Sequence, residues 1–121
     1  MSRILLIEDD IQLQKMIHRM LINEGYDVQD ASNGNEGINC FHEAPADLVI
    51  TDIVMPEKSG LDAIAELKSA YPKVKIIAMS GGGRTGVKLL NMARKLGVDR
   101  ILKKPFTRVE LISAVDEMLS S

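Results

Sequence analysis

Aromatic side chains are scarce in this chain: two Tyr, two Phe and no Trp. A core must then be filled by aliphatic residues, and seven Met lead us to expect flexible thioethers among them. A single cysteine, Cys40, excludes an internal disulfide framework and suits a reducing compartment. No apolar stretch approaches the ~20 residues needed to span a bilayer as a helix. The first apolar run, Ile4–Ile7, is too short for a signal peptide and leads into acids. His18 and His42 lack metal-ligand spacing and are expected at the surface or half-buried. No linker or low-complexity segment interrupts the chain. The expectation is one cytoplasmic domain over residues 1–121, with no membrane segment and no output domain.

Charge is unevenly spread. Residues 1–62 hold 12 acids and 4 bases, whereas residues 63–121 hold 5 acids and 11 bases. The overall charge of −2 gives no bias toward nucleic acid, and direct binding to it is not expected. An acidic half suits a cation site, and a basic half suits an acidic partner surface.

Short apolar runs alternate with helical patterns. Ile4–Ile7 is continuous, as in a strand buried on both faces. Leu13, Met16, Ile17, Met20 and Leu21 follow helical spacing, and Gly25 can end that helix. Tyr26–Gln29 alternates like an edge strand. Asn33 with Glu36 suggests the cap of a short helix reaching Phe41. Leu48–Thr51 is the central strand. Ile64, Leu67 and Tyr71 share a helical face that Pro72 stops. Val74–Met79 is the fourth strand. Leu89, Met92, Ala93 and Leu96 form a stripe closed by Gly97, in a helix over 84–97. A fifth strand covers 99–103. Thr107 with Glu110 opens a last helix through 119 as a capping box. Five strand–helix units imply an α/β fold, an open, doubly wound parallel sheet with helices on both faces. Ligands of such sheets bind beyond the carboxyl ends of the strands.

Glu8-Asp9-Asp10, Asp52, Ser80 and Lys104 all fall at those ends. Crowded carboxylates either rise in pKa or take up a cation, and an all-oxygen set favours magnesium, manganese or calcium over zinc. Asp9 and Asp52 can supply direct carboxylates, with Glu8 acting through water. Asp10 suits the start of the first helix better than a ligand position. An aspartate can itself be the nucleophile in phosphoryl transfer, and Asp52, between the acids and the lysine, is the candidate. Lys104 and the Ser80 hydroxyl would offset charge on phosphoryl oxygens.

Four signatures in order, Glu8-Asp9, the segment from Asp52 to Gly60 containing Met55-Pro56, Ser80, and Lys104-Pro105-Phe106, make the chain similar to the receiver domains of two-component response regulators. The resemblance covers essentially all residues. It implies a flavodoxin-like (βα)5 fold with strand order 2-1-3-4-5. It implies that Asp52 accepts a phosphoryl group from a sensor histidine kinase or a histidine phosphotransfer protein. It implies magnesium, or manganese in its place, on Glu8, Asp9, Asp52 and the backbone carbonyl of Val54. Ser80 and Lys104 would contact the phosphoryl group, and the bond before Pro105 is commonly cis in the family. Many members carry an aromatic switch residue where this chain has Ile101. The signal is therefore expected to leave through a mobile, glycine-rich loop over 80–86, with Val54 and Gly82 tuning water access. Output would be association, as monomer or phosphorylation-dependent dimer, through the face of helix 84–97, strand 99–103 and helix 107–119. That face carries Lys88, Arg94, Lys95, Arg100, Lys103 and Arg108. A haloacid-dehalogenase-like phosphohydrolase would need Asp-x-Asp where Asp52-Ile53-Val54 stands. A flavodoxin-like carrier would need phosphate-binding donors where Glu8-Asp9-Asp10 stands. No turnover enzyme is expected.

Overall fold

The computed structural model describes residues 2–55, 59–81 and 83–120, giving for 83–85 the helical backbone alone. Pro56 of the segment from Asp52 to Gly60, its neighbours Glu57 and Lys58, and Gly82 of the glycine run lie outside the described residues. The strands are β1 (Arg3–Ile7), β2 (Asp27–Ala31), β3 (Leu48–Asp52), β4 (Ile76–Ser80) and β5 (Arg100–Lys103). The helices are α1 (Ile11–Asn23), α2 (Gly34–Glu43), α3 (Gly60–Ala70), α4 (Gly83–Lys95) and α5 (Arg108–Leu119). All strand pairs are parallel, in the order β2-β1-β3-β4-β5. The doubly wound sheet and its strand order are those expected. No described helix is long and apolar enough to cross a membrane.

Every residue of β3 and β4 is buried, which is why both read as unbroken apolar runs. Alternate residues face opposite layers. Ile4, Leu6, Leu48 and Ile50 pack with Ile17 and Leu21 of α1 and Leu111 and Val115 of α5. Leu5, Ile7, Val49 and Ile76 pack with Phe41 of α2, Ile64 and Leu67 of α3 and Leu90 of α4. Each fully buried Leu or Ile contributes about 1.5–3 kcal/mol.

Local chemistry sets the helix ends. The Asp10 side chain accepts from the N–H groups of Gln12 and Leu13 and so starts α1. Asn33 and Ser59 cap α2 and α3 in the same way. Thr107 and Glu110 exchange both bonds of a capping box at α5. At α2 the box is incomplete, because the Glu36 carboxylate reaches Ser32 N–H at 3.3 Å. Gly25 and Gly97, at φ 92° and 95°, take the left-handed turns after α1 and α4.

Three expectations need correction. The core is not methionine-filled: among the described methionines only Met55 and Met79 are buried, while Met16 and Met92 are exposed. Isoleucine and leucine fill the sheet faces instead. The loop over 80–86 is shorter than expected, because the backbone is helical from Gly83. Gly86 is there for close approach, since a Cβ on it would stand 2.0 Å from the Gly81 carbonyl oxygen. β2 starts one residue and ends two residues later than its alternation suggests. Tyr26 stays outside the strand, its hydroxyl donating to Asp116 before α5 ends.

Candidate functional site

The parallel ladder continues one residue beyond several strands. Glu8 N–H donates to Ala31 C=O at 2.9 Å, Ile53 N–H to Met79 C=O at 3.0 Å, and Lys104 N–H to Ser80 C=O at 2.7 Å. These bonds carry the ladder one residue past the ends of β1, β3 and β5. A second constraint acts at Asp52. Gly60 N–H donates to Ile53 C=O at 2.8 Å, so the first residue of α3 sits on the end of β3. A Cβ on Gly60 would lie 1.9 Å from the Asp52 carbonyl oxygen, so only glycine permits this contact. The buried Thr51 hydroxyl donates to that same carbonyl at 2.9 Å.

The strand ends bring four predicted side chains together. Lys104 Nζ lies 2.5 Å from Asp52 Oδ2 and 3.0 Å from Glu8 Oε1. Asp52 Oδ1 accepts from Val54 N–H at 3.1 Å, and Glu8 Oε2 from Asp10 N–H at 3.0 Å. Glu8, Asp9 and Asp52 each offer a carboxylate oxygen within 4.8 Å of the others. Glu8 and Asp52 are buried and Asp9 is the most open of the three. Ser80 is buried at the end of β4, one residue beyond the partner of Asp52 in the register. Val54 is exposed, and Pro105 follows a cis peptide bond. Ile101 lies apart from this group. It is half-buried opposite Ala78 and packs against the core on the α2–α3–α4 side.

Among the described residues three clustered carboxylates meet one ammonium, bonded to two of them, and the electrostatics follow. Burial pushes the Glu8 carboxyl up to about 7, against the lowering effect of its bonds from Asp10 N–H and Lys104. Burial alone would lower Lys104, but its hydrogen bonds to Asp52 and Glu8 outweigh that and hold it above the usual lysine value. An all-oxygen donor set with an excess of negative charge fits a hard divalent cation. The same crevice fits an incoming group whose oxygens can share the ammonium.

Sequence reasoning missed Gln14, Thr51 and the packing role of Gly60. Gln14 is buried in α1, and its amide donates to Glu8 C=O at 2.9 Å and Ala31 C=O at 3.1 Å. Its only sequence signal was an amide on the same helical stripe as Ile17 and Leu21. The expected basic face is also narrower than proposed. Arg100 pairs with Glu117 at 2.5 Å, and Arg108 pairs with Glu24 at 2.8 Å across to the end of α1. Arg108 lines a groove of about 490 Å³ with Lys15, Met16 and Arg19, and so belongs to the α1 side. Lys88, Arg94, Lys95 and Lys103 remain exposed.

The model for the response regulator receiver domain matches residues 4–116. Chemotaxis protein CheY of Thermotoga maritima is 32% identical over 118 residues, covering 97% of both chains. The probable transcriptional regulator ycf29 of Pyropia yezoensis is 33% identical over 120 residues, which are 98% of this chain and 53% of that one. A solved response regulator receiver domain protein from Clostridium thermocellum has a TM-score of 0.88 at 33% identity, covering 99% of this chain and 95% of that one. This chain thus spans about half the length of some curated relatives and nearly all of another. It belongs to the response regulator receiver domain family, the signalling domains of two-component systems, which are not turnover enzymes.

Proposed function

We propose that residues 1–121 form one receiver unit that accepts a phosphoryl group on Asp52 and relays the change by protein association. The observation carrying this reading is the Lys104 ammonium, 2.5 Å from Asp52 and 3.0 Å from Glu8, at the end of the central strand. The donor is a phosphohistidine of a sensor kinase or of a histidine phosphotransfer protein. An Asp52 carboxylate oxygen attacks phosphorus, the O–P bond forms as the N–P bond breaks, and the electron pair leaves on the imidazole. Lys104 then shares its N–H donors between Asp52 and a phosphoryl oxygen, and the Ser80 hydroxyl donates to another. Magnesium, or manganese in its place, would be held by Glu8, Asp9, Asp52 and the backbone carbonyl of Val54, and supplies positive charge against the phosphoryl oxygens when bound.

The acceptor sits between β1 and β4, so a change there reaches α4 through Ser80 and Gly81, against which Gly86 is packed. Ile101 carries no aromatic ring, which favours the α4 route over a rotamer change on β5. Lys88, Arg94, Lys95 and Lys103 suit an acidic partner surface on α4 and β5. The receiver works in the cytoplasm, as a monomer or a phosphorylation-dependent dimer.

Intact mass after incubation with acetyl phosphate and magnesium tests the acceptor. One added phosphoryl group is expected in the parent chain and none in Asp52→Ala. Equal uptake by both would overturn the assignment.

A further inference from the structure

We propose that Gln14 is a positioning residue for the acid cluster, acting through the backbone of Glu8 and not by contact with the cation or the phosphoryl group. The inference rests on the receiver reading above and deepens it.

Gln14 lies on the buried face of α1, three residues before Ile17 and seven before Leu21, where an aliphatic side chain would follow the pattern. A buried amide is tolerated only when its polar groups are bonded. Here Nε2 spends both hydrogens on two carbonyls of different strand ends, Glu8 C=O at 2.9 Å and Ala31 C=O at 3.1 Å. Ala31 C=O also accepts Glu8 N–H at 2.9 Å. Glu8 is therefore held on both sides, its N–H by β2 and its C=O by α1. Fixing that carbonyl fixes the plane of the Glu8–Asp9 peptide, because the peptide unit is planar. The directions in which the Glu8 and Asp9 side chains leave the backbone are set with it. The next residues close the turn: Asp10 N–H donates to Glu8 Oε2, and Gln14 N–H donates to Asp10 C=O at 2.8 Å. Gln14 thus ties the first turn of α1 to the strand end that carries two of the three carboxylates. Groups outside the ligand set that orient ligands control metal affinity strongly.

The measurement is a magnesium titration of the full chain, followed by the backbone amide resonances of Glu8, Asp9 and Asp10. Gln14→Met keeps the length and removes the donors. Leu21→Val, two turns further along the same buried face, is the control for lost stability alone. Gln14→Met is expected to bind magnesium about tenfold more weakly than the parent, while the control matches the parent. Equal affinity in Gln14→Met and the control would overturn the proposal. A second reading uses the parent chain alone, so it holds even where Gln14→Met fails to fold. The side-chain amide protons of Gln14 should exchange with solvent far more slowly than those of exposed Gln12. Exchange as fast as Gln12 would also overturn it. A parent chain that takes up neither magnesium nor phosphoryl would defeat the receiver reading itself. A parent that takes up both, alongside an unaffected Gln14→Met, would defeat this inference alone.

Discussion

Where the strands begin, charges close on partners. Arg3 N–H donates to Asp47 and its guanidinium donates to Gln29. Asp99 accepts from Ile76 N–H at 2.8 Å, Lys68 donates to Val74 C=O, and Lys75 donates to Met118 C=O. Each of these charged groups has a hydrogen-bond partner in or beside a neighbouring strand or helix. Where the strands end, Glu8, Asp9 and Asp52 cluster, and among the described residues one ammonium, that of Lys104, bonds Glu8 and Asp52. Both edges use the same residue types, but among the described residues only one is left with excess charge of one sign in a buried setting. That imbalance, not the presence of charge, separates a chemical site from structural capping.

The sharpest way to break this comparison is to remove the ammonium. Lys104→Met should slow phosphoryl uptake from acetyl phosphate about 100-fold, measured by intact mass against time. A rate close to that of the parent would move the site's cation elsewhere.

Next in size is the response to pH. The folded Glu8 pKa, about 7, lies above its ordinary 4.5. Its contribution to stability is therefore full below about pH 4.5 and is lost as pH rises through about 7. The metal-free protein should lose on the order of 3 kcal/mol across that window. Urea melts at several pH values would show it, and Glu8→Gln should flatten the profile. Magnesium, which favours the ionised carboxylate, should bind more tightly at pH 8 than at pH 6. Lys104, raised in the fold, adds a contribution that is present below the ordinary lysine range and lost as pH climbs past its folded value.

At the opposite edge, Asp99→Ala removes the acceptor of Ile76 N–H and should cost about 1–2 kcal/mol of stability. Phosphoryl uptake, followed on the same sample, should not change. A loss of uptake would mean the two edges are not independent. The smallest effect belongs to the surface. Both partners of Arg100–Glu117 are more than a third exposed, and Glu117→Ala should alter stability by no more than about 0.5 kcal/mol in thermal melts.

Much of this arrangement was legible in the residues. Buried parallel strands announce themselves as apolar runs, and the carboxylates and the lysine stand directly after them. Caps such as Asp10 and Thr107 were readable because their chemistry is local. What escaped was non-local or ambiguous. Arg108 and Glu24 are 84 residues apart, and nothing in either neighbourhood foretells the pairing that takes Arg108 off the basic face. Glycine permits both freedom and contact, and the sequence gives no sign which is in use; at Gly86 it is contact, while a Cβ on Gly81 would meet nothing within 4 Å. Methionine is apolar enough for either side of a helix, so its count said little about where it would sit. Gln14 was hidden because a polar residue on an apolar stripe looks like noise until its two acceptors are seen.

Lys104 follows β5, one of the two edge strands, whereas the acids follow β1 and β3 in the interior of the sheet. A marginal strand has one neighbour and can shift with fewer ladder bonds at stake than an interior one. Any reagent that draws the ammonium away thus pulls on the part of the scaffold least able to resist, while the carboxylates stay anchored. The crevice thus sets carboxylates carried by doubly flanked strands against an ammonium carried at the border of the fold.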